Sequence, residues 1–590
     1  MTLSTTEFPS PATDSPARAE LPEIPGGRGR RWVRPGDRFV YVVAAGVVAV
    51  LLLFVVVPMA YTAVSSTHGR GAAANYRTFL DGGSSTALLL SVGISLASVL
   101  GCGIIGTCLA VAVSRFEFPG RRILEVAALV PMALPPLIGA VSFVLLYSKT
   151  GIVPRTLSHW FGVAPADVSV GGVGGVVLVH VLTMYPFFYL PVAAGLAGQD
   201  SSLEAAAYNL GAGRIRVWRT VILPMLTPAL VSGALVTFMI SMASFTAPQL
   251  YNVQTLTMQI VATQTGGDQD LAATQATVLA VVSIGFLVAM RWYQGRSLHR
   301  SLSKGTQRER TVSRGPMRWV SAGGATVLTL VLLAPILTVV LVSFSVDNSW
   351  TTQILPPTYT FANYATLFTD PGSLLPMSVS VQMSLLATAG AVLLGVAAAY
   401  VVARWRGPGR TGIDIMTMLP WALPGTVVGL NLVNAFNDPQ PSNLGLSLVG
   451  TLWILPVAYL VRFVPLVFRS SSAALDTIDP ALEEAARSLG AGPLHVLRTV
   501  TIPLIAKGII AGALLAFVDG VGEYVASVVI YPASFPPLSV EIYNRIYSSE
   551  FGTAAAYGTL QVALILLVLI AGNALQRGRR GPRHHVMRAT

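Results

Sequence analysis

The chain has 590 residues, of which 53% are hydrophobic and only 11% are charged, and its mean hydropathy is +0.66. A soluble protein carries about a quarter charged residues, so this composition excludes a soluble globular protein and indicates a polytopic membrane protein. The formal net charge of +12 does not indicate nucleic-acid binding, because the arginines cluster before, between and after the apolar segments, which is the positive-inside pattern of membrane proteins.

The N-terminal 38 residues are rich in Pro, Ser, Gly and Arg, which predicts a disordered tail. The apolar run that follows is too long for a signal peptide and lacks a small-residue cleavage site, so we expect an uncleaved first span. A membrane helix needs about 20 apolar residues. Segments of this kind lie at roughly 39–65, 87–113, 123–147, 174–197, 226–247, 272–293, 320–345, 380–403, 412–435, 447–469, 504–530 and 557–575.

One loop sequence occurs twice, each time before the last two spans of a group of six. Residues 203–238 and 482–517 are about half identical when they are shifted by 279 positions. The Glu- and Ala-rich start predicts a helix, the following Gly-Ala-Gly a left-handed helix end and a sharp turn, and Val-x-x-Arg-Thr-Val a second helix. The repeat predicts an amphipathic helical hairpin at matched positions of two homologous halves.

Shorter matches extend the repeat beyond this loop. They pair Asn75-Tyr76 with Asn363-Tyr364, residues 115–121 with 404–410, and residues 131–135 with 420–424. These matched residues are 288 or 289 positions apart, whereas the two loop copies are 279 apart. The difference corresponds to about ten additional residues in the first half, which we place in the Gly-rich segment 148–175. We expect two homologous six-helix domains and divide the chain into a disordered cytoplasmic tail (1–38), a first six-span domain (39–293), a basic cytoplasmic linker (294–318), a second six-span domain (319–576) and a cytoplasmic tail (577–590).

The two loops resemble the EAA motif of the permease subunits of binding-protein-dependent ABC importers. In that family the loop forms a coupling helix that sits in a groove of the ATP-binding subunit, and the resemblance implies this role for residues 203–213 and 482–492. The first copy has Ala205 where the second has Glu484. The first loop is therefore expected to bind the ATP-binding subunit more weakly or through different contacts. The coupling residues implied are Glu204, Ala205, Ala206, Gly211, Gly213, Glu483, Glu484, Ala485, Gly490 and Gly492.

The chain has no Walker A sequence, and none of its three lysines lies in a phosphate-binding loop. We therefore expect no catalytic site, no metal and no cofactor in this chain, with ATP and Mg²⁺ bound by a separate ATPase. The resemblance implies two ABC ATPase subunits and an extracytoplasmic substrate-binding protein as partners, with membrane lipid and without nucleic acid. It places the chain in the plasma (inner) membrane of a bacterium, multi-pass, with both termini in the cytoplasm.

The fused two-domain form resembles the branch that includes ferric-iron, thiamine and phosphonate permeases. Residues 523–527, 537–543 and 551–556 look most like the iron(III) group. The resemblance therefore implies an importer of a small solute, with iron(III) as the best choice and thiamine, phosphonate or another small solute as alternatives.

Two carboxylates lie in the eleventh predicted span. Asp519 and Glu523 are four residues apart and share one helix face, whereas the first half has Ile240 and Ser244 at the matched positions. Because charges inside a span are costly, they indicate a polar lining for a cation, the alternative being a hydrated or hydrogen-bonded pair near the outer interface.

Further path candidates are uncharged. Asn431 and Asn434 lie in the ninth predicted span, where hydrogen bonds between packed helices explain them equally well. Pro135 and Pro424 occupy matched positions in the third span of each half, and paired breaks in corresponding spans point to a translocation path. A structural kink is the alternative for the two prolines.

Two other classes of protein remain as alternatives. A twelve-span secondary transporter with two parallel repeats is not expected to carry an EAA loop in both halves. A membrane enzyme would need a nucleophile–base pair or a metal cluster, which the sequence does not show.

Overall fold

The computed structural model describes residues 35–198, 201–297, 311–312, 316–350, 353–405 and 409–578. Most of them are helical. The first half contains α1 (Pro35–Leu51), α2 (Val57–Ser65), α3 (Ala72–Asp81), α4 (Ser84–Arg115), α5 (Arg121–Ala127), α6 (Val130–Ala133), α7 (Pro136–Tyr147), α8 (Ile152–Phe161), α9 (Pro165–Val168), α10 (Gly172–Met184), α11 (Pro186–Ala197), α12 (Ser201–Asn209), α13 (Arg214–Val217), α14 (Leu223–Met242), α15 (Thr246–Leu250), α16 (Leu256–Thr265) and α17 (Gln269–Ser297).

The second half repeats this order without counterparts for every short helix. It contains α18 (Pro316–Val342), α19 (Ala362–Thr369), α20 (Leu375–Arg404), α21 (Arg410–Ala422), α22 (Gly425–Phe436), α23 (Ile454–Leu475), α24 (Ala481–Ser488), α25 (Pro493–Val496), α26 (Ile502–Val521), α27 (Ser527–Ile530), α28 (Leu538–Tyr547) and α29 (Phe551–Gly578). Single π-helical turns at Leu52–Val56, Trp218–Ile222 and Leu497–Thr501 join α1 to α2, α13 to α14 and α25 to α26.

The described residues contain 11 helices that are long and apolar enough to cross a membrane, or up to 12 if the bent pair α21–α22 forms one span. The predicted all-α polytopic class with two six-helix halves is thereby confirmed. One element was not expected: β1 (Phe116–Glu117) pairs in parallel with β2 (Thr311–Val312), which belongs to the predicted linker. Most of that linker, the tail to residue 34 and the tail after residue 578 lie outside the described residues, and the domain limits stay a prediction.

The third span of each half breaks at the predicted proline. The preceding residues, Leu134 and Leu423, are extended, with ψ of 128° and 136°, and Pro135 and Pro424 then open α7 and α22. The residue before a proline is pushed out of the helical region, which explains why both helices stop there. In the second half the chain turns by 110° at this break.

The two halves exchange their first spans. Within each half the second span packs on the fourth and fifth, so that α4 lies against α10, α11 and α14, and α20 lies against α23 and α26. Across the halves, α2 packs on α22 and α18 packs on α7. Each first span therefore covers the broken third span of the other half, and the halves form one interlocked unit.

The repeated Asn-Tyr pair fixes the end of each first span. The buried Asn75 Nδ2 donates to the carbonyl oxygens of Ser66 and His68, both at 3.0 Å. Asn363 Nδ2 donates at 2.9 and 2.8 Å to the carbonyls of Ser343 and Ser345. Carbonyls at a helix end lack partners within the helix, so a side-chain amide at this position satisfies them in both halves.

Candidate functional site

The repeated loops form the same helical hairpin in both halves. Gly211 follows α12 with φ of +79°, and Gly490 follows α24 with φ of +88°, and backbone hydrogen bonds of 3.1 Å close both turns. The predicted left-handed helix end is thus confirmed at both positions. The second glycine of each motif, Gly213 or Gly492, has extended backbone instead and precedes α13 or α25.

The motif glutamate of the second hairpin points into its own half. Glu483 is buried and accepts hydrogen bonds from Arg404 Nε and Nη2 at 3.0 and 2.9 Å and from Thr501 Oγ1 at 3.0 Å. Arg487 adds a longer contact of 3.4 Å from the same hairpin. A planar guanidinium with two parallel bonds fixes a carboxylate in orientation as well as position. Glu483 therefore ties its hairpin to the end of α20.

The first hairpin has a related anchor that differs in detail. Arg115 Nη1 donates to Glu204 Oε1 at 3.0 Å, and the Arg115 guanidinium lies 5.1 Å from the centre of the Trp218 ring. At the position of Thr501 the first half has Ile222, which has no hydroxyl to donate. Arg115 and Arg404 begin the repeated segments 115–121 and 404–410, and this recurrence was the signal of an anchoring role that the prediction did not use.

The opposite side of each hairpin is exposed and apolar. Leu210 and Leu489, at matched positions, are 88% and 90% exposed. We call the exposed apolar residues of the two hairpins the hairpin faces: Leu203, Leu210 and Ile215 in the first half, and Leu482, Leu489 and Leu494 in the second. Ala205, Ala206, Glu484 and Ala485 are exposed on the same helices, so the predicted coupling residues other than the four glycines divide into this exposed set and the inward-pointing Glu204 and Glu483.

A cavity of about 290 Å³ lies between the halves, next to both broken third spans. Pro135 and Ile240 line it from the first half, and Trp421, Asp519 and Glu523 from the second. Small-molecule sites usually measure roughly 300–1,000 Å³, so the cavity has the size of a small solute. The structure thus brings three of the predicted path residues together: Pro135, Asp519 and Glu523.

The charged residues of the cavity all belong to the second half. Arg462 Nη1 lies 2.9 Å from Glu523 Oε1, which also accepts the Ala526 N–H at 2.7 Å. Asp519 is exposed to the cavity, and no residue that the structure describes forms a hydrogen bond or ion pair with it. A Cβ at Gly425 would overlap Arg462 Nη1, so the glycine after the second proline leaves space for the guanidinium. Arg462 was not among the residues predicted from the sequence.

The other predicted path residues lie elsewhere. Asn434 Nδ2 donates to Thr62 Oγ1 at 3.3 Å, where α22 packs on α2 of the other half. Asn431 lines a smaller crevice beside the first span, and Pro424 caps α22 without being among the residues that line the cavity. For Asn434 the structure shows the packing role that was its alternative.

Two aromatic rings meet just beyond the ends of α14 and α26. Phe245 and Tyr524 occupy matched positions, are both buried, and have ring centroids 6.1 Å apart. Tyr524 Oη donates to Gln249 Oε1 of the other half at 2.6 Å. Because the opposite ends of α14 and α26 adjoin the hairpins, the two rings lie toward the far face, which we define as the face opposite the hairpins.

The fold and the site define a class: a multi-pass transport subunit with two matched halves, a hairpin on each and a cavity between them. A family model described as "Binding-protein-dependent transport system inner membrane component" matches the chain twice, at residues 103–300 and 391–581. The chain belongs to this family of inner-membrane transport components.

Individual relatives agree with this family. A probable ABC transporter permease protein, y4fN of Sinorhizobium fredii, is 29% identical over 92% of this chain and 98% of its own length. The ferric transport system permease protein FbpB of Actinobacillus pleuropneumoniae is 24% identical over 94% of this chain and 81% of its own. The sulfate transport system permease protein CysT of Salmonella typhimurium is 30% identical, but over 37% of this chain and 83% of its own.

Proposed function

We propose that this chain is the permease subunit of an ATP-driven ABC importer, which moves a small solute across the plasma membrane by alternating access. The observation that carries the proposal is the pair of hairpin faces. Exposed apolar residues such as Leu210 and Leu489 at matched positions of two loops favour docking to another protein. The family supplies the dependence on a binding protein.

The same hairpin faces support the choice of partners. Each hairpin face docks one ABC ATPase subunit, which gives two such subunits per chain, and these bind the ATP and Mg²⁺. An extracytoplasmic binding protein delivers the solute at the far face. In this arrangement the hairpins and both termini lie in the cytoplasm, and the chain itself performs no catalysis.

Iron(III) is the proposed solute. Ferric permeases are similar over most of this chain, whereas the sulfate permease matches a little over a third of it. Thiamine, phosphonate or another small solute are the alternatives within the same importer function. The twelve-span secondary transporter has no comparable support, because the chain belongs to a binding-protein-dependent family.

The path of the solute runs through the cavity between the halves. Asp519 and Glu523 supply acidic groups on one side, and Pro135 lies at the broken span on the other. Closing movements of the ATPases reach this region through the hairpins, because Glu204 and Glu483 tie the hairpins to the ends of α4 and α20.

The double change Gly211→Pro and Gly490→Pro tests the proposal. Proline holds φ near −65°, whereas these residues have φ of +79° and +88°, so both turns must distort. The chain is purified with its co-purifying proteins, and ATPase activity is measured. We expect the normal chain to bring down an ATPase, and the double variant to lose that ATPase or its coupling to transport.

Matched controls are Gly162→Pro and Gly372→Pro. Both glycines have positive φ, of +68° and +92°, and lie in loops away from the hairpins. These changes impose similar local strain and should leave ATPase binding intact. Transport driven by an ion gradient without any ATPase, unaffected by the hairpin changes, would overturn the importer function.

A further inference from the structure

The charge of the cavity is confined to one wall. Position 519 is Asp in the second half, and the matched Ile240 of the first half lines the same cavity. Position 523 is Glu where the first half has Ser244, and position 462 is Arg where it has Thr183. The two halves therefore differ in this cavity by three ionisable groups, all in the second half.

Two of these three groups form an ion pair with each other, and the third, Asp519, does not. Arg462 neutralises Glu523 at 2.9 Å, and the N–H of Ala526 holds the same carboxylate oxygen. Glu523 is therefore fixed by its own half. Asp519 has no such partner among the described residues and faces the cavity. With all three groups ionised, the wall carries one net negative charge, which favours a positive group in the cavity and disfavours an anion.

The carboxylates that line the cavity do not supply a full ligand set for a bare metal ion. Hard cations such as Ca²⁺ take six to eight oxygen ligands, and the carboxylates that line this cavity are Asp519 and the already paired Glu523. The other walls are apolar or aromatic, including Trp421 and Phe463. Aromatic faces attract diffuse cations. Such a lining suits a positive charge that keeps its own ligands or is spread over an organic group.

On this basis we propose that the cavity is the solute site and takes a positively charged solute that needs no coordination by the protein, with Asp519 as its contact carboxylate. The solute is an organic cation or a metal ion that retains its ligands. This inference rests on the proposed importer function, deepens it, and sets anions such as sulfate and phosphonates apart from the accepted class.

The test measures binding to the purified full chain in nanodiscs of zwitterionic lipid, so that the bilayer adds no anionic sites. The probes are hexaamminecobalt(III), thiamine and sulfate, titrated by calorimetry. We expect both cations to bind the normal chain and sulfate not to bind. Asp519→Asn should weaken cation binding by roughly tenfold or more, as loss of one interaction with a charged group does.

Two variants make the result specific. Asp519→Glu keeps the charge and should keep most of the cation affinity. Asp370→Asn makes the same change at an exposed aspartate of the second half outside the cavity and should leave cation affinity unchanged. Failure of both cations to bind the normal chain, equal cation affinity in Asp519→Asn, or binding of sulfate in their place overturns the inference. Loss of ATPase dependence with intact cation binding would instead remove the importer function and leave the site.

Discussion

Glu483 is enclosed by groups of its own chain, although it belongs to the motif that a partner is proposed to contact. Arg404 and Thr501 occupy its oxygens, whereas the next residue, Glu484, is exposed. The two neighbouring carboxylates therefore have different roles. Glu483 holds the hairpin in place, and Glu484 is free to contact a partner. The chemical difference between the two hairpins thus lies at position 484 and at the matched Ala205.

This division of tasks predicts the effect of Glu483→Ala. Removing one partner of a buried ion pair leaves Arg404 uncompensated, which costs about 3 kcal/mol or more of the free energy of unfolding. Denaturation of the purified chain should show this loss. Glu484→Ala, one residue away and exposed, should change stability by about 0.5 kcal/mol or less. Equal effects of the two changes would contradict the anchoring role of Glu483.

At the scale of elements, the broken third spans serve the halves differently. In the first half Pro135 is followed by a second proline, Pro136, and the position that matches Arg462 is occupied by the uncharged Thr183. In the second half Pro424 is followed by Gly425, beside which the Arg462 guanidinium reaches Glu523. The break in α21–α22 thus makes space for an ion pair between the fourth span and the segment that follows the fifth span of its half.

Gly425→Ala should destabilise the second half. The added Cβ would overlap Arg462 Nη1, and overpacking of this kind costs about 1–3 kcal/mol. Unfolding of the purified chain measures the loss, and Gly412→Ala, whose Cβ would meet open space in α21, is the control. The cost should fall in a Glu523→Gln background, where Arg462 no longer has to stay in place; an additive result would refute this coupling.

Elements whose signals are local could be predicted from the sequence. Apolar length gave the spans, the Gly-Ala-Gly pattern gave the hairpin turn, and Leu-Pro gave the breaks. The ion pairs could not be predicted in this way, because Arg462 and Glu523 are 61 residues apart and Arg115 and Glu204 are 89 apart. For Asn434 and Thr62, 372 residues apart, only the exchange of first spans reveals the contact.

At the scale of the whole molecule, the halves meet around a pseudo-twofold arrangement. Phe245 and Tyr524 are related by the repeat and contact each other across it. Both rings follow the cavity-lining Ile240 and Asp519 along the chain, in the direction away from the hairpins, and Tyr524 lines the cavity itself. We therefore expect the rings to cover the cavity on the side from which a binding protein is proposed to deliver its solute.

Removing this cover should open the cavity to reagents from the far face. A single cysteine at Ile240→Cys, in a chain whose Cys102 and Cys108 are replaced by Ala, reports access to the cavity lining. Labelling of whole cells by a membrane-impermeant thiol reagent should be slow in this chain and fast once Phe245→Ala and Tyr524→Ala are added. Equal labelling rates would show that the two rings do not form the barrier.

The confinement of the cavity's charged residues to the second half has a consequence for how such a protein can be assembled. If the halves were separate polypeptides, like could pair with like, giving complexes with a doubled charged wall or with none. Joining them in one chain fixes their ratio at one to one, so each folded molecule carries one Asp519 and one Arg462–Glu523 pair. Covalent fusion thereby allows the two halves to diverge in charge without producing mispaired transporters.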